Sequence, residues 1–353
     1  MVARRADNPK MQVESCTVLE FNNQCDQTMS EKIHSSTKNS FVMSLLKIGA
    51  FAVLVLLWFM YLRSNHPTYW KSIHSQIIAP FQRWPRELTS FGSYGAYIYS
   101  IGAVLIVDFI VLKKNSALAR IASFRPSIRL DLILGAIAIL GFAWVIPGIV
   151  TAGFSAILPR FFSKWKIDLI ADIPSDFLKL LVYFVAVDFL VYWHHRALHK
   201  FQPLWEFHAF HHSATSFTIF TGNRVHPMEF ILKIPMVVVP MLFFGAAPGV
   251  LVNIWYIRRI FDMAQHSYVP FTYGWLGKWV VFSPIGHRIH HSTQVEHFDS
   301  NFGDIFPIWD HIFGTWYSGD EINEKIGIPE NEFNKDGVVA DLYRPFKKTI
   351  PIL

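Results

Sequence analysis

Apolar residues in this chain gather into long runs separated by polar segments. Phe41 to Leu62 is broken only by Ser44 and Lys47, which is long enough to cross a bilayer as a helix. The aromatic-rich flank from Tyr61 to Trp84 suits a membrane interface. A second run extends from about Tyr97 to Leu112 and carries Asp108. A third, Leu130 to Leu158, contains glycines and prolines that kink helices. A fourth and weaker run, Phe177 to Trp193, carries Lys179 and Asp188. After a polar stretch, Phe230 to about Tyr256 is again apolar, with a Gly-Ala-Ala-Pro-Gly break at 245–249. That break predicts a helical hairpin that dips into the membrane and returns.

The expected fold is an all-α integral membrane protein of about four transmembrane helices plus a re-entrant or returning hairpin. Four regions follow. Residues 1–40 are a flexible polar tail rather than a cleaved signal, residues 41–187 are transmembrane helices, residues 188–317 are a catalytic domain that includes the hairpin 230–262, and residues 318–353 are a polar tail. Loop 113–129 carries Lys113, Lys114, Arg120, Arg125 and Arg129 with no acid, so it is expected on the cytoplasmic side. Counting spans then puts both later polar segments, 194–228 and 263–317, on that side as one helical cap. Loop 159–166, with Arg160, Lys164 and Lys166, pulls the other way.

Composition agrees. Apolar residues make up 52% and charged residues only 16%, where a soluble domain carries nearer a quarter. The net charge of +6 comes without a long Lys/Arg run, so basic loops facing an anionic leaflet explain it better than a nucleic-acid partner. The only cysteines are Cys16 and Cys25. The C-terminal half therefore has no Cys-based zinc site, iron–sulfur cluster or thiol nucleophile. There is no P-loop and no dinucleotide-binding glycine motif.

The candidate chemistry is histidine. Thirteen of the 16 histidines lie from residue 194 onward. His208, His211 and His212 spell H-x-x-H-H, and so do His287, His290 and His291. At this composition one such motif is expected about 0.03 times by chance. On a helix the three positions share a face and aim three imidazoles at one point. His195 and His199, four apart at the end of the fourth run, add two more. Eight imidazoles exceed what one ion uses and fit two ions side by side. A pH-sensing interface would not need three rings on one helical face.

Asp188 lies seven residues before His195 on the same face and has two readings: a carboxylate orienting a ligand imidazole, or an ion pair with a nearby base. His194 points away from His195 and is expected to be a bystander or a group behind the ligands. His226 and His266 are ambiguous by themselves. His297 and His311 read as structural, and His34, His66 and His74 as uninvolved. Phe207, Phe210, Phe217 and Phe220 are candidates to line an approach to the metals.

From Asp188 to Tyr317 the chain resembles the fatty acid hydroxylase superfamily, the membrane group of sterol desaturases, C-4 methylsterol oxidases, sphingolipid hydroxylases and alkylglycerol monooxygenase. The histidine pattern is similar, and so are Asp188-Phe189, Tyr192-Trp193, Arg224-x-His226-Pro227-x-Glu229, Gln265-His266-Ser267, Asn301-Phe302-Gly303 and Trp309-Asp310-x-x-Phe313-Gly314-Thr315. The resemblance implies a non-haem di-iron oxygenase that hydroxylates or desaturates a lipid, with zinc able to replace iron in a purified or crystallised form. It adds His226 and His266 to the ligands and places Asp188, Glu229 and Asn301 behind them. It implies a lipid substrate, O2 and a separate electron donor, cytochrome b5 with its reductase or a ferredoxin, because no haem-binding His-Pro-Gly-Gly is present. The setting it implies is the endoplasmic reticulum membrane in a eukaryote or the inner membrane in a bacterium, with the site facing the cytoplasm. Two other readings are a zinc-dependent lipid hydrolase, which lacks its H-E-x-x-H here, and a non-catalytic lipid-binding membrane protein.

Overall fold

The structure is a computed structural model that describes residues 60, 61, 63–65, 67, 71, 93–139, 167–245, 248–317 and 325–349. The chain divides into two compact units, Met1–Trp70 and Lys71–Leu353. In the first, the described residues are helical, and Asn65 Nδ2 donates to the Tyr61 carbonyl at 3.1 Å. The second unit holds everything that follows. The expected N-terminal tail, nearly all of the first apolar run and residues 140–158 of the third lie outside the described residues.

The described part of the second unit is helical and contains no strand, only an antiparallel bridge between Ser292 and Ile326. Helix α1 spans Ser93–Leu112, α2 Ala117–Ala122 and α3 Pro126–Ile139. The long α4, Asp176–Lys200, starts where the Ser175 side chain accepts from the Leu178 N–H at 3.3 Å, with Asp176 in its first turn. Phe201 is extended and ends it, and α5, Gln202–His212, begins at once with Pro203 in its first turn. Helices α6, Pro227–Leu232, and α7, Ile234–Phe244, follow with one residue between them. Gly245 stops α7 in the left-handed conformation at φ +67, and α8 resumes at Pro248 through Gln265. The predicted break thus separates two helices. Next come α9, Gly274–Trp279, α10, Pro284–His290, α11, Ile308–Phe313, and α12, Val338–Thr349.

Two apolar clusters place the site. Tyr183, Val187 and Val191 of α4 pack with Met236 of α7 and with Leu251 and Ile254 of α8. Val187 and Ile254 are fully buried and stabilise this junction by roughly 1.5–3 kcal/mol each. Tyr97 and Ile101 of α1 pack with Ile219 and with Met263 of α8. Together they aim the C-terminal ends of α4 and α8 at one region.

Among the described residues, two helical stretches are long and apolar enough to cross a membrane, Asp176–Lys200 and Pro227–Phe244. Only 28% and 18% of their apolar windows are buried. A core helix this apolar would be mostly covered, so these two present lipid-like faces outward.

Two expectations need correction. The third run was expected to be a span starting at Leu130. Its helix starts at Pro126, and its first turns bury Ser127 and Asp131 against the segment that carries Thr215, Thr218 and Thr221. Asp131 pairs with the fully buried Arg224, which also donates to Ser213 Oγ at 2.9 Å and Asn334 Oδ1 at 3.0 Å. Residues 318–353 were expected to be a polar tail, and the described part of it packs on the rest of the chain. Gly327 N–H donates to the His291 carbonyl at 3.0 Å, Asn331 Nδ2 donates to the Ser213 carbonyl at 2.9 Å, and α12 packs on α5. Phe333 is buried against Leu130, Ala209 and Phe210.

Candidate metal centre

Short helices with fixed starts deliver the histidines. α5 carries His208, His211 and His212 in its last turn and a half, about two turns beyond the end of α4 with His195 and His199. α10 is pinned at its start by Ser283, whose Oγ accepts from the Gly286 N–H at 3.1 Å, and by Pro284. It is barely two turns long and carries His287, His290 and, at its C-terminal cap, His291.

These rings sort into two adjacent groups. The ligand atoms of His195, His199, His208, His212 and His290 all lie within 4.8 Å of one another. Those of His211, His266, His287 and His291 form a second set by the same measure. Two nitrogens bound to one ion at about 2.1 Å each are at most about 4.2 Å apart, so each group has the dimensions of one ion's shell with little contraction needed. The groups touch: the His212 and His291 rings stack with centroids 4.2 Å apart.

The nitrogens of these rings fit metal and little else. His195 Nδ1 donates to the Phe302 carbonyl at 3.0 Å, His290 Nδ1 to the Ser300 carbonyl at 2.8 Å, and His266 Nδ1 to the Asp262 carbonyl at 2.8 Å. A carbonyl only accepts, so each Nδ1 carries the proton and each Nε2 keeps its lone pair. The Nε2 atoms of His195 and His290 are buried and meet no donor, as are both ring nitrogens of His208 and His291. Leaving such groups dry and unpaired costs about 1–3 kcal/mol each, a deficit a shared cation removes. Burial, and then the neighbouring imidazoles, hold His208, His211, His212, His287 and His291 well below the usual histidine pKa. Burial lowers His290 to about 4 despite its bond to Ser300. At neutral pH these rings are therefore in the uncharged, metal-binding form.

Loop 299–303 braces the rings from behind. Asp299 and Asn301 adopt left-handed backbone at φ +55 and +59, a strained choice costing on the order of 1 kcal/mol each. Asn301 Oδ1 accepts from the Tyr317 N–H at 2.9 Å, and its Nδ2 donates to the Gly286 carbonyl at 3.2 Å. Asp310 accepts from the Phe302 and Gly303 N–H groups at 2.7 Å each. A Cβ at Gly303 would come within 2.8 Å of that carboxylate, so only glycine allows the grip. The Ser300 and Phe302 carbonyls are thereby fixed on their imidazoles. Glu229 Oε2 lies 3.4 Å from His208 Nδ1, and Asp299 Oδ1 3.8 Å from His199 Nδ1.

The structure brings together His195, His199, His208, His211, His212, His266, His287, His290 and His291, with Glu229 and Asn301 behind them. His226 stands apart. Its Nδ1 accepts from the Met228 N–H at 3.1 Å and its Nε2 donates to the Leu342 carbonyl at 2.9 Å, so it caps α6 and has no lone pair left for a metal. Asp188 does not meet an imidazole. It accepts from Arg258 Nη1 at 2.9 Å, Trp309 Nε1 at 2.9 Å and the Ile305 and Phe306 N–H groups at 3.1 and 3.2 Å, which is the ion-pair reading. The Ser300, Phe302 and Asp262 carbonyls escaped the sequence reading because a backbone oxygen leaves no residue signal.

A cavity of about 230 Å³ opens onto the first group, with His199, His212 and His290 on its floor and Trp205, Phe298 and Ile328 in its walls. Phe207, Phe210, Phe217 and Phe220 do not line it. Phe210 is a fully buried packing residue, Phe207 packs on His226 and Phe220 lies over Gly135, whereas Phe217 is buried against the His266 and His291 rings of the second group at 5.0 Å.

Residues 180–315 match the fatty acid hydroxylase family. The chain is 30% identical over 166 residues to the ornithine lipid hydroxylase OlsE of Rhizobium tropici, covering 46% of this chain and 49% of that protein. It is 32% identical over 135 residues to alkylglycerol monooxygenase of Xenopus tropicalis, 38% of this chain and 29% of that one. A Delta(7)-sterol 5(6)-desaturase of Gibberella zeae is 27% identical over 232 residues, 63% of this chain and 60% of that one. The chain thus spans about half or less of the first two relatives and under two thirds of the third. No solved structure matches it.

Proposed function

We propose that this chain, whose segment 180–315 is of the fatty acid hydroxylase family, is a membrane-embedded oxygenase acting on a C–H bond of a lipid. Two metal ions are held, one by His195, His199, His208, His212 and His290, the other by His211, His266, His287 and His291. The observation that carries this reading is the pair of touching groups of imidazoles, among which His195, His208, His290 and His291 hold buried ring nitrogens with no hydrogen-bond partner. Imidazole sets suit iron, and a bound pair of irons supplies the O2 chemistry that no side chain provides.

The chain's own residues do the rest. The Phe302, Ser300 and Asp262 carbonyls fix the tautomers and ring planes. Trp205, Phe298 and Ile328 give the space above the first group an apolar wall against which a hydrocarbon can lie, with Gln202, Ser292 and Asp299 on its polar side. α4 and the stretch Pro227–Phe244 embed the protein where a lipid is the available substrate. The basic loop 113–129 favours the cytoplasmic side for the site. Hydroxylation consumes one O2, two electrons and two protons per alcohol and water formed, and desaturation forms an alkene and two waters from the same inputs. Electrons come from a separate donor, cytochrome b5 with its reductase or a ferredoxin. The ornithine lipid, alkylglycerol and sterol relatives bracket the substrate as a membrane lipid with a saturated C–H.

Lipid analysis of cells lacking this chain, against cells carrying it intact or with His211→Ala, tests the reading. One hydroxylated or unsaturated lipid should vanish without the chain and stay absent with His211→Ala. A lipid profile restored by His211→Ala would refute it.

A further inference from the structure

We propose that the segment around α9 is a further membrane-contacting element, seated in the lipid interface beside α4 without crossing the bilayer. This rests on the membrane reading above. In α9 and its C-cap, Trp275, Leu276, Trp279 and Val280 recur at helical spacing and share one side. All four are exposed, Trp275 at 68%, as is Phe271 just before them. The turn is rigid. Tyr273 is left-handed at φ +57, and Gly277 sits so close to the Thr272 carbonyl that a Cβ would meet it at 1.7 Å. The outward display is therefore built into the backbone.

The surface is continuous with the helix of membrane-crossing length. The Trp279 ring stacks on His311 of α11 at 3.9 Å and 20°, and His311 Nε2 donates to the Lys278 carbonyl at 2.9 Å. Two residues on, Phe313 packs on Trp193 of α4 with centroids 4.8 Å apart. Between these contacts Ile312 points outward at 58% exposure, and Trp193 is itself exposed. Outward-facing apolar side chains thus run from α4 through Ile312 to α9. Residues 271–280 contain no acid, and the Lys278 ammonium lies 5.6 Å from the Trp279 ring centroid. Tryptophan, tyrosine and one lysine over an apolar face is the chemistry of a bilayer interface, where rings sit at headgroup depth and the ammonium reaches water. In water, an apolar patch of this kind would promote aggregation.

The test attaches an environment-sensitive NBD fluorophore to Leu276→Cys or, separately, Trp275→Cys in the full chain. The native Cys16 and Cys25 are replaced by serine, and the protein is reconstituted in phosphatidylcholine vesicles with or without nitroxide-labelled lipid. Leu180→Cys on α4 is the membrane reference. The proposal expects blue-shifted emission at 276 and 275, protection from aqueous iodide, and quenching by the nitroxide lipid. Emission quenched by iodide and indifferent to the nitroxide, while 180 reports lipid, overturns this inference alone. Protection from both quenchers means a protein contact covers the patch and also overturns it. Iodide quenching at all three positions would overturn the membrane reading itself.

Discussion

His199 and His212 confront each other through their Nε2 atoms at 3.1 Å, and His287 and His266 repeat the arrangement at the same distance in the neighbouring group. His266 Nδ1 carries the proton toward Asp262, so its Nε2 presents a lone pair to the opposing ring. A pairing of this kind, repeated in two clusters, is stable when a cation sits among the lone pairs.

The two groups should lose metal separately. His208→Ala strips ligands from the first group only and His287→Ala from the second only. Each variant is expected to retain about one ion per chain and no oxygenase activity, as read by elemental analysis of the purified protein. His34→Ala should change neither quantity.

Removing an unpartnered imidazole should act in opposite directions with and without metal. His291 is fully buried, and both its nitrogens lack partners. His291→Leu is expected to stabilise the metal-free chain by about 1–3 kcal/mol and to destabilise the loaded one. Thermal unfolding in detergent, before and after chelation, reads both signs.

The pH dependence of the metal-free chain follows from His290, lowered by burial to about 4 from an ordinary 6.5. Between those values the unfolded chain binds more protons than the folded one. This group therefore gives full stability above about pH 6.5 and loses roughly 3 kcal/mol as pH falls to about 4. The histidines packed around it shift in the same direction and add to the slope, and they outnumber the opposing carboxyls of Asp304 and Asp310, which burial raises to about 6. Melting temperatures from pH 4 to 7.5 should rise and then level, and a maximum on the acid side would contradict the buried, uncharged state.

The brace behind the rings should matter through affinity. Asp310→Asn weakens the grip on Phe302 and Gly303 and is expected to lower metal affinity ~10–100-fold with the helices intact. Asp188→Leu should instead cost stability, about 1–3 kcal/mol for each buried donor it leaves unpaired, namely Trp309 Nε1 and the Ile305 and Phe306 N–H groups, while Arg258 keeps its pair with Asp304 at 2.6 Å. Competition with a metal indicator and thermal melting separate the two effects.

The parts of the site legible in the sequence are those set by local spacing. Residues three and four apart share a helical face whatever the rest of the chain does, so His208, His211 and His212 announced themselves. The break at Gly245 was readable for the same reason. Asp188 and His226 were misjudged because their partners, Arg258 and Leu342, lie 70 and 116 residues away. The C-terminal segment looked like a polar tail since charge dominates it. Its Val338, Leu342 and Phe346 nevertheless recur every four residues, and they face the cluster around Leu130 and Phe210 or, for Phe346, the Phe207 ring.

The most direct test is X-ray absorption with elemental analysis on the chain purified from iron-replete cells. The account predicts close to two metal ions per chain, each coordinated mainly by imidazole nitrogen, with metal–metal scattering from a neighbouring ion. One ion per chain, or a shell dominated by carboxylate oxygen, would contradict it.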